Sequence, residues 1–285
     1  MINYILLESQ IDVLAKRFRE ARPFPHLVID NFIDQSVAAE AYKVFPKIED
    51  MDTLNDYRQR KAQDPAIDKF HPLFQDIIFE HLQSDRLLNW LGRVTGIKNL
   101  KADEQLYASG LAQGANGSFL NVHLDNSSHP VNPWFRRLNL ILYLNPNWSE
   151  EKGGQLEFWR DDMKESTSIL PVLNRMALFA TDKRSWHGYR HVNTPDGDTR
   201  KSINIYYFTE ESPDGTDYYH VTIFRARKDE TVNKVIYPID NLVRTVARKL
   251  RSEKDGHAVL YDTENDTGNE KKVMNREGFV PKSPH

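Results

Sequence analysis

One stretch limits the fold more than any other: Arg137-Leu-Asn-Leu-Ile-Leu-Tyr-Leu-Asn145. Side chains alternate across a strand, so Leu138, Leu140, Leu142 and Leu144 share one face. Arg137, Asn139, Ile141, Tyr143 and Asn145 share the other. Four leucines in register need an apolar cover. The opposite face carries amides and a phenol, which suit a polar cavity or solvent better than a dry core. Such a strand belongs to a sheet that is buried on one side. From about residue 99 to 225, short β-rich runs are separated by Gly, Asn, Asp and Pro clusters, the pattern of an all-β sandwich or barrel.

The N-terminal part supplies the cover for the leucine face. The first 95 residues read as mainly helical: Leu6, Ile11, Leu14, Ala15 and Phe18 recur at helical spacing until Pro23 and Pro25. A short strand is expected over 26–33. A helix over 35–45 follows, with Asp34 as its N-cap. Residues 47–66 read as polar and irregular. Leu73, Ile77, Ile78, Leu82, Leu87, Leu88 and Leu91 predict one or two amphipathic helices, with Ser84 as a cap between them. Beyond residue 225, a helical pattern over 232–250 is interrupted at Pro238 and carries Arg244, Arg248, Lys249 and Arg251. Residues 252–285 read as a polar tail.

Composition narrows the chemistry. With no cysteine, disulfide frameworks, thiolate zinc sites, iron–sulfur clusters and a cysteine nucleophile are all excluded, so any metal must be held by histidine, carboxylate or water. The formal charge of −3 argues against a globally basic nucleic-acid binder. No apolar run approaches the roughly 20 residues of a membrane span, and Glu8 interrupts the N-terminus too early for a secretory leader, so a cytoplasmic protein is expected.

Against that background His123, Asp125 and His187 stand out. In His-x-Asp on a strand, both side chains point the same way. A second histidine follows 62 positions after Asp125 on the strand-like run Ser185-Trp-His-Gly-Tyr-Arg-His-Val. Two imidazoles and one carboxylate can occupy one triangular face of an octahedral metal, the arrangement of non-haem Fe(II) oxygenases. An ordered set of segments surrounds them. Gly114-Ala-Asn-Gly-Ser comes first, followed by Phe119-Leu-Asn-Val-His-Leu-Asp and then by Tyr143-Leu-Asn and Trp148. Gly153-Gly-Gln-Leu-Glu-Phe, Asn174-Arg-Met-Ala-Leu-Phe, Trp186-His-Gly and Arg200-Lys-Ser-Ile-Asn-Ile-Tyr-Tyr-Phe complete the series.

With these segments the chain resembles the Fe(II)- and 2-oxoglutarate-dependent dioxygenases of the prolyl 4-hydroxylase type over roughly residues 100–210, with a weaker echo at 23–32. The resemblance implies an α+β protein with a mainly β core. That core is a double-stranded β-helix (jelly roll) with the N-terminal helices packed on one sheet and a C-terminal helix plus tail. It also implies Fe(II), 2-oxoglutarate and O2, and hydroxylation of an unactivated carbon with release of succinate and CO2. His123, Asp125 and His187 match the iron ligands. Arg200 matches the residue that grips the distal carboxylate of 2-oxoglutarate, as a planar guanidinium can. It stands 13 positions after His187, and the turn-rich Asn193-Thr-Pro-Asp-Gly-Asp absorbs the extra length. Lys201 is the competitor. Alternation puts Arg200 on a face with Ser202, Asn204 and Tyr206, and Lys201 on a face with Ile203, Ile205 and Tyr207. Tyr143 matches a cosubstrate-contacting tyrosine, and Asn139 and Ser202 are expected to assist. Asn204, Tyr206, Arg136 and Gln113 are expected to line the substrate pocket.

There are departures from the family pattern. Asn174 stands where glycine is common, and asparagine also tolerates positive φ. Gln113 replaces a frequent tyrosine, for which Tyr107 or Gln105 would substitute. Asp125 itself argues against halogenation, because related halogenases have a small residue there. His129 and His191 read as loop or surface residues, and Trp134 and Trp186 as packing.

The expected substrate is a small molecule or glycan, such as a lipopolysaccharide sugar, with a free or peptidyl amino acid as the alternative. The Arg244 helix is expected to make peripheral contact with an anionic membrane surface at its inner face. A non-catalytic jelly-roll sugar-binding module and a cupin-type metalloenzyme without 2-oxoglutarate are the competing classes. At 285 residues the chain is expected to be a single elaborated domain. Within it, 1–98 is mainly helical support, 99–225 the jelly-roll catalytic core and 226–285 the C-terminal helix and tail.

Overall fold

A computed structural model describes residues 1–213, 215 and 220–254, with side chains described as far as residue 247. The tail expected over 252–285 lies almost wholly outside the described residues. Twelve strands form one curled antiparallel sheet. They are β1 (His26–Asp30), β2 (Thr53–Asn55), β3 (Gln59–Asp64), β4 (Gly110–Gly114), β5 (Phe119–Leu124) and β6 (Phe135–Tyr143), then β7 (Leu156–Trp159), β8 (Ser166–Ile169), β9 (Arg175–Ala180), β10 (Trp186–Tyr189), β11 (Arg200–Thr209) and β12 (Ile223–Phe224). Their order is β1-β9-β6-β11-β4-β3-β5-β10-β7-β8, with β12 on β5 and β2 on β3. The sheet curls between β4 and β5, so the β9-β6-β11-β4 half and the β5-β10-β7-β8 half face each other. This is the jelly roll, with a mainly β core and N-terminal helices.

The leucine face of β6 behaves as its alternation demands. Leu138, Leu140, Leu142 and Leu144 are fully buried in one cluster with Ile203, Ile205 and Tyr207 of β11. Their cover comes from α1 (Tyr4–Ser9), α2 (Ile11–Glu20), α3 (Gln35–Lys43), α4 (Leu73–Gln75) with its π-helical continuation (Asp76–Leu82), and α5 (Asp85–Thr95). The side chains that meet the leucines include Leu14, Phe18, Phe74, Ile78, Leu87, Trp90 and Leu91. Fully burying one leucine contributes roughly 1.5–3 kcal/mol, so this layer is a principal source of stability. Ser84 caps α5 as expected, its side chain accepting from the Leu87 N–H at 3.3 Å.

Three expectations fail. The first helix is two, because Gln10 leaves helical geometry (φ −115°, ψ 12°), and the phase change exposes Leu6 and buries Leu7. Residues 47–66 are not irregular. They hold β2 and β3, and β3 pairs with both β4 and β5. Pro238 does not interrupt the last helix, α6 (Asn233–Lys254). The helix runs through it, lacking only the backbone bond that proline cannot donate.

Candidate metal centre and active site

β5 and β10 pair so that His187 stands directly opposite His123, and Asp125 lies two positions further along. The ring centroids of the two histidines are 4.3 Å apart. Nε2 of His123 is 3.4 Å from Asp125 Oδ1, and Nε2 of His187 is 3.6 Å from Asp125 Oδ2. One ligand atom from each residue lies within 4.8 Å of the others. Gly188 permits the close approach, since a Cβ there would meet the Leu120 carbonyl at 2.6 Å.

The second bond of each imidazole fixes its tautomer. Nδ1 of His123 lies 2.9 Å from the Asn121 carbonyl, and Nδ1 of His187 lies 2.8 Å from that of Ser185. A carbonyl only accepts, so both Nδ1 atoms carry the proton and both Nε2 lone pairs face the site. Burial pulls His187 down to about 4, helped by the charge of His123, which keeps it neutral and ligating. Burial opposes charge on Asp125, but His187, His123 and Arg136 outweigh it and hold the carboxyl below its ordinary range. Asp125 Oδ2 is buried without a hydrogen-bond partner, while Oδ1 accepts from the Tyr206 hydroxyl at 3.1 Å. An orphaned carboxylate oxygen beside two neutral imidazole nitrogens is a donor set that fits a divalent iron.

These residues line a cavity of about 850 Å³, counting its open mouth. Arg200 enters from β11. Its Nε donates to the Gly154 carbonyl at 2.7 Å and its Nη2 to the Tyr143 hydroxyl at 3.2 Å. Gly154 has φ +68°, and a Cβ there would meet Arg200 Cδ at 2.9 Å, so glycine makes the room. The guanidinium lies 4.2 Å from the Tyr189 ring centroid. Among the described residues no carboxylate forms an ion pair with Arg200. Burial raises the Tyr143 phenol and takes that of Tyr189 to about 12, so both stay neutral. A buried, aromatic-walled guanidinium of this kind fits the free carboxylate of a small diacid.

The other expected residues divide. Asn139, Asn204 and Tyr206 line the cavity. Ser202 does not; its hydroxyl donates to Asn204 Oδ1 at 3.0 Å. Arg136 sits behind Asp125 rather than in the pocket, 3.6 Å from Oδ1 and stacked 3.9 Å over Tyr206. Gln113 reaches the cavity wall, but its amide is tied to the Pro46 carbonyl (2.9 Å) and the Thr199 hydroxyl (2.8 Å). Neither Tyr107 nor Gln105 takes the vacant tyrosine's place. Tyr189 is the extra ring, and its i+2 spacing from His187 on β10 is the signal that marks it. Lys201 turns away, its ammonium 5.1 Å from the Tyr42 ring. Asn174 holds φ +61° and bonds both the N–H and the carbonyl of Ile33. His129 is buried against Asp103 at 3.2 Å, not a surface residue. Trp186 packs with Val122, Leu124 and Trp159. Arg58, Gln59, Lys61 and Gln63 of the unexpected β3 region also line the cavity, together with Arg244 of α6.

Residues 109–208 match the model of the 2OG-Fe(II) oxygenase superfamily. The match covers the β4–β11 core, about a third of the chain. Curated relatives include the prolyl 3-hydroxylases OGFOD1 of Xenopus laevis (26% identical, 69% of this chain) and Mus musculus (23%, 75%). The chain spans 38% of the length of each. Among solved structures, the Trichoplax adhaerens prolyl hydroxylase in complex with a hypoxia inducible factor peptide has a TM-score of 0.51 at 20% identity, covering 74% of this chain and 94% of that one. A prolyl 4-hydroxylase from Phytophthora capsici reaches 0.52 at 19%, covering 89% and 79%. Both share the fold of this chain.

Proposed function

We propose that this chain is an Fe(II)- and 2-oxoglutarate-dependent dioxygenase, rather than a sugar-binding module or a cupin without cosubstrate, and that it hydroxylates an unactivated C–H bond of a small molecule or glycan, such as a lipopolysaccharide sugar, with release of succinate and CO2. The observation that carries the reading is one cavity shared by the three inward ligand atoms and the Arg200 guanidinium. His123, Asp125 and His187 would hold Fe(II), which when bound supplies dioxygen chemistry that side chains lack. Arg200 and the Tyr143 hydroxyl grip the distal carboxylate of 2-oxoglutarate, and Tyr189 walls that end from water. Asn139 stands opposite Tyr206 on the cavity face, nearer the metal ligands, and Ser202 acts through Asn204. Gln59, Gln63 and Asn204 form an amide-rich wall that suits a hydroxyl-bearing substrate. Arg136 and Gln113 serve as supports.

Fe(II) and 2-oxoglutarate added without oxygen should give a visible metal-to-ligand charge-transfer band. Asp125→Ala should lose it, Arg200→Ala should need more 2-oxoglutarate to reach it, and no band in the intact protein sinks the reading. Succinate release over sugars, amino acids and peptides then ranks substrates. A second reading, hydroxylation of a free or peptidyl amino acid, is favoured by the prolyl hydroxylase names of the relatives. Prolyl peptides in the same panel decide between the two.

The same proposal takes residues 1–285 as one elaborated domain of a cytoplasmic protein. No helix among the described residues is long and apolar enough to cross a membrane. Peripheral contact with an anionic membrane surface would use the exposed stripe Val235, Ile239, Leu242 and Val246 of α6. Arg244 does not serve that contact, because it turns inward and donates to the Thr222 carbonyl at 2.8 Å. The side chains of Arg248, Lys249 and Arg251 lie outside the described residues. Co-sedimentation with anionic and neutral vesicles tests the contact.

A further inference from the structure

The cavity has two ends. Arg200, Tyr143 and Tyr189 occupy the cosubstrate end. The other end is built largely by β3, which lies between β4 and β5 and so turns alternate residues Gln59, Lys61 and Gln63 inward. Lys61 is held in place: its ammonium donates to Gln63 Oε1 at 2.8 Å, and the Gln63 amide donates in turn to the Ala108 carbonyl. Arg244 approaches from α6, anchored on the Thr222 carbonyl and 4.0 Å from Asp240. Arg58 joins them at the rim, clasped by Asp56 at 2.7 Å and near Asp240 at 3.8 Å. Neither of those carboxylates is in the wall. Among the described lining residues Asp125 is the sole acid, against Arg58, Lys61, Arg200 and Arg244.

Asp125 belongs to the metal and Arg200 to the cosubstrate in the reading above, on which this inference rests. What remains for the substrate is a wall of cations and amides. Cations gathered in a cleft with low-dielectric walls focus a positive field on whatever enters. A neutral, apolar substrate has no use for such a wall and would have to desolvate it. We infer that the substrate carries an anionic group, a carboxylate or a phosphate, that docks on Lys61 and Arg244 and thereby sets which carbon faces the metal centre. Arg58, already clasped by two acids, shapes the rim.

The test uses the full chain loaded anaerobically with Fe(II) and saturating 2-oxoglutarate, reading perturbation of the charge-transfer band. The probes are D-glucuronate, D-glucose 6-phosphate and D-glucose. A charge-assisted bond contributes about 1.5–3 kcal/mol, so at least one acid should act at roughly a tenfold lower concentration than glucose. Which acid acts separates carboxylate from phosphate. Lys61→Met should erase the preference with the band itself intact, and Lys61→Arg should restore it. Equal action of glucose and both acids overturns the inference. So does no response to either acid, and so does a preference that survives in both Lys61→Met and Arg244→Met. Absence of the band before any probe is added counts against the dioxygenase assignment of the residues instead.

Discussion

The two faces of the β6–β11 pair follow opposite rules. On the helix side Leu138, Leu140, Leu142, Ile203 and Ile205 are wholly buried and wholly apolar. On the cavity side Asn139, Tyr143, Arg200, Asn204 and Tyr206 are nearly as buried, with the exception of the half-buried Asn204, yet all are polar, and Ile141 is the one apolar residue of β6 among them. Both faces come from the same residues of chain, one position apart. Period-2 alternation therefore lets one pair of strands carry stability on one side and chemistry on the other, without a trade between them at any single position. The two sets of residues should be separable by mutation.

The largest effect is expected at the metal centre. Asp125→Ala should reduce 2-oxoglutarate turnover by more than the 10–100-fold that a change in an outer partner costs. It should not lower the apo-protein's melting point as a core truncation would, because it removes a buried charge rather than packing. Succinate release and a thermal melt on one preparation check both halves. A large fall in melting point would mean that the polar face is structural after all.

The converse substitution is Leu140→Ala. It opens a cavity in the helix-covered layer, where truncations cost about 2–5 kcal/mol. Denaturant titration should show that loss. At low temperature the charge-transfer band should remain near its original strength, and a lost band in folded protein would break the separation.

The separation was partly legible in the sequence, and the limit has a physical cause. Alternation in 137–145 exposed both faces, and alternation after residue 200 chose Arg200 over Lys201. In the structure Arg200 lines the cavity and Lys201 does not, because each strand's own residues record which side is apolar. β3 records nothing of the kind. Gln59-Arg-Lys-Ala-Gln-Asp64 is almost uniformly polar, and it is a strand because β4 and β5 offer it hydrogen bonds on both edges, which is a tertiary cause. The wall holding Lys61 and Gln63 was therefore invisible. Tyr189 was within reach, since it shares a strand face with His187, but the Arg200 guanidinium it walls lies on another strand.

A smaller effect should come from the cosubstrate end. Arg200→Ala removes charge-assisted donors, each contributing about 1.5–3 kcal/mol, so 2-oxoglutarate should bind at least tenfold more weakly. Arg200→Lys should recover only part of this, because an ammonium cannot match a carboxylate with two parallel bonds. Titration of the charge-transfer band with 2-oxoglutarate checks it. Equal affinity for the three proteins would mean that another cation holds the cosubstrate.

The smallest expected effect tests how finely the cavity face is organised. Tyr206 donates to Asp125 Oδ1, and Arg136 stacks on the Tyr206 ring while standing 3.6 Å from the same oxygen. Together they engage Oδ1, which also faces His123, and leave Oδ2 facing His187. Tyr206→Phe deletes the hydroxyl but keeps the ring on which Arg136 rests. Outer partners of metal ligands typically contribute 10–100-fold to affinity, and with Arg136 still in place the loss should sit near the lower bound, about tenfold. Direct titration with Fe(II) or Mn(II) measures it without turnover. Adding Arg136→Met should deepen the loss more than the two single changes sum to, since both act on one oxygen. Unchanged metal affinity in Tyr206→Phe would mean that the β5 backbone alone aims Asp125, and that the cavity face tolerates polar substitution as readily as the helix face tolerates an exchange of one aliphatic for another.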